Sequence, residues 1–82
     1  MAAALRMKDL IEFLAKSLVD DPEAVSVHST DRDQTTFLDL EVAQEDLGKV
    51  IGRQGRTARA IRTLLAAAGQ KTRRRYILDI VD

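Results

Sequence analysis

Leu47-Gly48-Lys49-Val50-Ile51-Gly52-Arg53-Gln54-Gly55-Arg56-Thr57-Ala58-Arg59-Ala60-Ile61 is the stretch that decides the fold, because apolar helical spacing is interrupted there by two glycines with two polar residues between them. Leu47, Val50 and Ile51 recur at helical intervals before the break, and Ala58, Ile61 and Leu65 after it, so the spacing predicts a helix, a tight loop and a second helix. The loop is Gly52-Arg53-Gln54-Gly55. Glycine admits positive φ and close approach of another molecule to the main chain. The loop amides and the N-terminus of the next helix offer donors and the positive end of a dipole, which suits an anion. Lys49, Arg53, Arg56 and Arg59 stand around this point, and no acid occurs between Lys49 and Gln70.

Working outward, Thr35 to Val42 alternates Leu38, Leu40 and Val42 with Phe37, Asp39 and Glu41, which predicts a strand. A shorter strand is expected at Ala24 to Thr30, with Val25 and Val27 opposite Ser26 and His28. The polar turn Asp31-Arg32-Asp33-Gln34 joins the two into an antiparallel hairpin. Before it, Met7, Leu10, Ile11, Leu14 and Leu18 form the stripe of an amphipathic helix, with Phe13 widening its apolar side and Asp20-Asp21-Pro22 ending it. Gln44-Glu45-Asp46 places acids in the first turn of the central helix. The helix after the glycine loop is expected to run to Ala68 and stop at Gly69. A last strand spans Arg73 to Val81, and its crossover through two helices makes it parallel to the second strand. The expected order is α-β-β-α-α-β, an α+β fold with a three-stranded mixed sheet and helices packed on one face. Residues 1–6 read as a short extension and 7–82 as one domain.

Length and composition exclude several functions. With 82 residues there is room for one small core but not for a deep catalytic cavity and lid. Zero cysteines and a single histidine leave no disulfide framework, zinc site or metal cluster, so no metal and no cofactor are expected. No apolar run approaches the roughly 20 residues of a membrane span, and Met1 to Arg6 is too short for a signal peptide, so a cytoplasmic protein is expected. Gly55-Arg56-Thr57 superficially resembles the end of a P-loop, but Arg replaces the lysine and Val50 stands where the earlier glycine belongs. No nucleophile, base and orienting group cluster together, so no catalytic residue and no small-molecule substrate are expected. Charge is balanced overall, with 13 basic and 13 acidic residues, but residues 1–47 carry 4 basic against 11 acidic, giving −7, and residues 48–82 carry 9 against 2, giving +7. A dipole of that size lets one face attract a polyanion while neutrality limits indiscriminate binding.

Val50-Ile51-Gly52-Arg53-Gln54-Gly55 resembles the V-I-G-x-x-G signature of a KH domain, and the element order resembles the type II, bacterial form. From Met7 onward nearly the whole chain is similar to the small stand-alone bacterial KH proteins. The resemblance implies cytoplasmic binding of single-stranded RNA, and a homodimer or a pairing with a larger KH protein. It implies that Gly52 to Gly55 clamp the backbone of about four unpaired nucleotides while bases lie in an adjacent groove. That groove would be walled by Val50, Ile51 and Ile61, with the edge of the second strand opposite. Gly52 and Gly55 permit the close approach, and Arg53 and Gln54 project beside the phosphates. Lys49, Arg56 and Arg59 add charge on the approach, an inference from the residues themselves. Ala58 departs from the branched aliphatic of many KH domains. Three aromatics, none near the loop, leave little for base stacking, so binding should be weak and of low specificity.

Duller explanations accompany these features. The glycine pair also suits the turn of a helix-turn-helix that would prefer duplex DNA. Arg73-Arg74-Arg75 reads as a solvated strand entry, and His28 as an exposed strand residue. Ala60, Leu64, Ala67 and Ala68 are either ordinary helix surface or a dimer face, and the fold could serve mainly as a dimerisation adaptor.

Overall fold

A computed structural model describes residues 6–81; residues 1–5 of the expected extension, and Asp82, lie outside the described residues. The order is α1 (Met7–Leu18), β1 (Ser26–Arg32), β2 (Thr35–Glu41), α2 (Leu47–Ile51), α3 (Arg56–Thr72) and β3 (Arg75–Ile80). The α-β-β-α-α-β order therefore holds. Single 3-10 turns occupy Pro22–Ala24, Gln44–Asp46 and Arg53–Gly55.

The sheet order is β1-β2-β3, with β1 antiparallel to β2 and β2 parallel to β3. Register explains the alternation in sequence, because neighbours across the ladder must face the same side. Val27, Leu40 and Ile80 form one row, and Ser29, Leu38 and Leu78 the next. This face meets the helices: Leu38, Leu40 and Leu78 are buried with Ile11 and Ala15 of α1, Val50 of α2, and Ile61 and Leu65 of α3. Each fully buried Leu or Ile contributes about 1.5–3 kcal/mol. The opposite face carries exposed His28, Thr30, Ile77 and Asp79, so all three helices lie on one side.

Several local expectations shift. The hairpin is tighter than expected, since Arg32 pairs with Thr35 and only Asp33 and Gln34 turn the chain, Asp33 at φ 55°. β1 begins at Ser26 because Pro22–Ala24 closes a 3-10 turn instead of entering the strand. Phe13 does not widen the buried side of α1; it is 67% exposed, and Ala15 lies in the core instead. The acids before α2 are not in its first turn but in the preceding 3-10 turn, and Asp46 is buried.

The largest correction concerns α3, which does not stop at Gly69 but continues to Thr72. Gly69 is there for packing: a Cβ would overlap the Arg74 carbonyl oxygen and stand 3.5 Å from the Tyr76 ring. The left-handed residue that ends the helix is Arg73, at φ 56°, with its N–H and that of Arg74 both donated to the Gly69 carbonyl. This tight turn carries the chain directly into β3, and α3 and β3 lie side by side.

Candidate nucleic-acid interface

The geometry of the loop follows from its two glycines. Gly52 ends α2 with its N–H donated to the Gly48 carbonyl at 2.8 Å, and takes φ 80° and ψ 168°, a conformation essentially confined to glycine. Thr57 closes off the alternative, since a Cβ on Gly52 would fall 2.7 Å from the Thr57 amide nitrogen. Gln54 and Gly55 then take two successive left-handed conformations, φ 57° and φ 75°, and the Gly55 N–H reaches the Gly52 carbonyl at 3.0 Å. Nothing lies within 4 Å of a Cβ built on Gly55. Gly52 thus packs inward against α3, while Gly55 faces open space at the start of a 17-residue helix whose first amide, on Arg56, is donated to the Arg53 carbonyl. Arg53, Gln54, Arg56 and Arg59 are all exposed around this point. Arg56 Nη2 donates to Gln54 Oε1 at 3.3 Å, which holds these two side chains beside the loop.

Next to the loop, Ile51, Gly55, Ala58, Arg59, Arg62, Asp79 and Ile80 line a hollow of about 430 Å³. Its far wall is β3, not β2, because β2 is the central strand and has no free edge. Of the three expected wall residues only Ile51 borders the hollow; Val50 is fully buried and Ile61 is 6% exposed, both in the core beneath it. Arg62, Asp79 and Ile80 escaped the sequence reading. Arg62 could have been found from its spacing of three after Arg59 and four after Ala58, which puts it on the same helix face. Its guanidinium crosses to β3 and donates to the Leu78 carbonyl from Nε and Nη2 at 3.4 and 3.2 Å.

Lys49 departs from the expected picture. Two acids hold it, one distant in sequence and one three residues before it: its Nζ lies 3.0 Å from Asp20 and 3.3 Å from Asp46. Asp20, then Asp46, hold its pKa above the ordinary lysine value, so its charge is committed to carboxylates. Asp46 also accepts the Asp21 N–H at 3.1 Å. Burial pushes the Asp46 carboxyl up, but the Asp21 and Asp20 amides and Lys49 together bring it below the ordinary value. The cluster pins the segment after α1 to the start of α2, one short helix ahead of the glycine loop.

The three consecutive arginines are not equivalent. Arg74 is a strut, 3.1 Å from the Asp31 carboxylate and hydrogen bonded to Thr36 Oγ1. Its neighbours Arg73 and Arg75 are exposed. His28 is exposed, as its alternation predicts.

Among the described residues, no group of three or more His, Cys, Asp or Glu side chains could hold a metal ion, and no helix is long and apolar enough to cross a membrane. Residues 8–80 match the family model described as KhpA/KhpB, KH domain. The chain is 53% identical to the RNA-binding protein KhpA of Borreliella burgdorferi, over 90% of both chains. It is 51% identical to the RNA-binding protein KhpA of Clostridium acetobutylicum, over 92% of this chain and all of that one. Among solved structures, Aquifex aeolicus Era bound to GDP.AlF4- superposes with a TM-score of 0.56 at 14% identity. That likeness covers 98% of this chain but 32% of Era, and it speaks for the fold alone.

Proposed function

This chain belongs to the KhpA/KhpB KH-domain family, and from that premise we propose that it is an RNA-binding protein whose Gly52-Arg53-Gln54-Gly55 loop clamps the backbone of a short single strand. The observation that carries the reading is the division of labour between the glycines: Gly52 is packed against Thr57, whereas Gly55 leaves open space beside the positive end of α3. Arg53, Gln54, Arg56 and Arg59 flank that approach. A phosphate docked there meets donors, a dipole end and guanidinium groups at once. Bases then lie over Ile51, Ala58 and Ile80, between α3 and β3. Val50 and Ile61 support that floor from below, and Lys49 braces the helix ahead of the loop.

Such a protein acts in the cytoplasm as an RNA chaperone or post-transcriptional regulator, by binding and not by chemistry. Its protein partner is a second copy or a KhpB-type KH protein, and α3 offers a face for it: Leu64 is 56% exposed between exposed Ala60 and Ala67. The test of RNA binding is competition between single-stranded RNA and duplex DNA, with affinity followed against salt. About three to five phosphate contacts, at −0.7 each for single strands, give a slope of roughly −2 to −3.5 in log affinity per log salt. Better competition by duplex DNA would replace this reading with the helix-turn-helix one.

A further inference from the structure

A second hollow, of about 590 Å³, opens at the far end of the same seam between α3 and β3. Its lining includes Gln34, Gly69, Gln70, Arg73, Arg75 and Tyr76. Resting on the RNA-binding reading above, we propose that this hollow is a second backbone-phosphate site, anchored by Arg73 and Arg75, and that a single RNA strand runs along the α3–β3 seam from the glycine loop to it.

Continuity comes from helix periodicity. Gly55, Arg59 and Arg62 border the near hollow, and Ala66, Gly69, Gln70 and Arg73 border the far one. Within α3, Arg59 and Arg62 are three apart, Ala66 follows Arg62 by four, and Gly69 and Gln70 follow Ala66 by three and four, so these residues share one helix face, which Gly55 and Arg73 cap at its two ends. On the strand side the lining steps from Ile80 and Asp79 at the near end to Tyr76 and Arg75 at the far end. Arg62, bound to the Leu78 carbonyl, marks the join. From Gly55 to Arg73 the helix rises roughly 25 Å.

Charge supplies the second argument. Arg73 and Arg75 are exposed and make no ion pair among the described residues. Arg74 between them takes up Asp31, the nearby acid, so its neighbours' charges are left for a ligand. Their backbone is preorganised: the Arg73 and Arg74 amides both bond to Gly69, and the Arg75 amide to the Gln34 carbonyl at 2.9 Å. The C-terminal dipole end of α3 opposes an anion here. That opposition is weak, because the Gly69 carbonyl already accepts two amides and the Thr72 hydroxyl, which also reaches Ala68, and the arginines carry full charges.

The test compares uniform oligoribonucleotides of about four and about ten nucleotides, the shorter filling only the clamp. Wild-type protein should bind the longer one more tightly. Arg73→Gln with Arg75→Gln should lose about tenfold in affinity for the longer oligomer and about 1.4 from its salt slope, two phosphates at 0.7 each, while leaving the shorter one unchanged. Arg73→Gly with Arg75→Gln, which suits the left-handed backbone at Arg73, should behave the same if folding of the first variant is impaired. No gain from length in the wild type, or equal losses for both oligomers, overturns the second site and leaves the clamp standing. Wild-type protein that binds neither oligomer overturns the clamp as well.

Discussion

Thr57 occupies the space that any side chain on Gly52 would need, with its amide nitrogen 2.7 Å from where that Cβ would sit. The other loop glycine has no such neighbour. The two glycines therefore fail differently when replaced. Gly52→Ala meets both a forbidden backbone conformation and backbone atoms of α3, and should cost more than about 2 kcal/mol. Gly55→Ala meets only the left-handed φ, a cost of about 1–2 kcal/mol. Thermal or urea denaturation of the two variants checks the order; equal losses would mean that the Gly52–Thr57 contact does not constrain the loop.

The Asp46 cluster makes a pH-dependent prediction. Asp46 titrates below its ordinary value when folded, and Lys49 above its own. The Asp46 contribution is therefore present above the unfolded carboxylate pKa of about 3.9 and is lost as pH falls through the lower folded value. The Lys49 contribution is present below about 10.4 and is lost as pH rises through its higher folded value. Asp46→Asn should lower the melting temperature at neutral pH and shrink its fall on acidification. A variant with the wild-type acid profile would remove Asp46 as the source.

Asp79 places a carboxylate beside Arg59 and Arg62 in the near hollow. In the RNA-binding reading it repels phosphate, so Asp79→Asn should tighten binding of single strands by about two- to fivefold, the worth of one exposed charge. Weaker binding to the variant, confined to cytosine-containing strands, would instead make Asp79 an acceptor for the base amino group.

Self-association can be read at Ala67. A charge there, on the exposed side of α3, should convert a dimer to monomers in light scattering without unfolding the domain. An unchanged dimer mass for Ala67→Glu removes this face, and a monomeric wild type at tens of micromolar removes the homodimer.

How far these features were legible depended on the range of the interaction behind them. The α-β-β-α-α-β order, the glycine break between two helices and the antiparallel pairing of β1 with β2 rest on local periodicity and turn chemistry and stand as read, while the hairpin's turn shrinks to Asp33 and Gln34. Gly69 misled because the same residue type serves a helix end and a close backbone approach, and only the position of Arg74 separates the two. Lys49 looks free in sequence because the tertiary fold is what brings Asp20 to it, whereas Asp46, three residues earlier, is a local partner that the spacing already offers. The KH resemblance puts Val50 and Ile61 in the groove wall, and helical spacing could not correct it, because it marks an apolar face without saying whether protein or ligand covers it. The strand facing the groove followed from sheet order: a β2 bonded on both sides leaves β3 as the free edge.

The most direct test of the account is to replace both Arg53 and Gln54 with Asp. The substitutions keep both glycines and sit on exposed positions, so stability should change by no more than about 0.5 kcal/mol per site. They put two negative charges where phosphate is held to approach, and like charges across an interface cost several kcal/mol, with 1.4 kcal/mol already tenfold in affinity. The account predicts a folded double variant with wild-type melting temperature and oligomeric state that has lost measurable binding to single-stranded RNA; a folded double variant that binds RNA as the wild type does would contradict it.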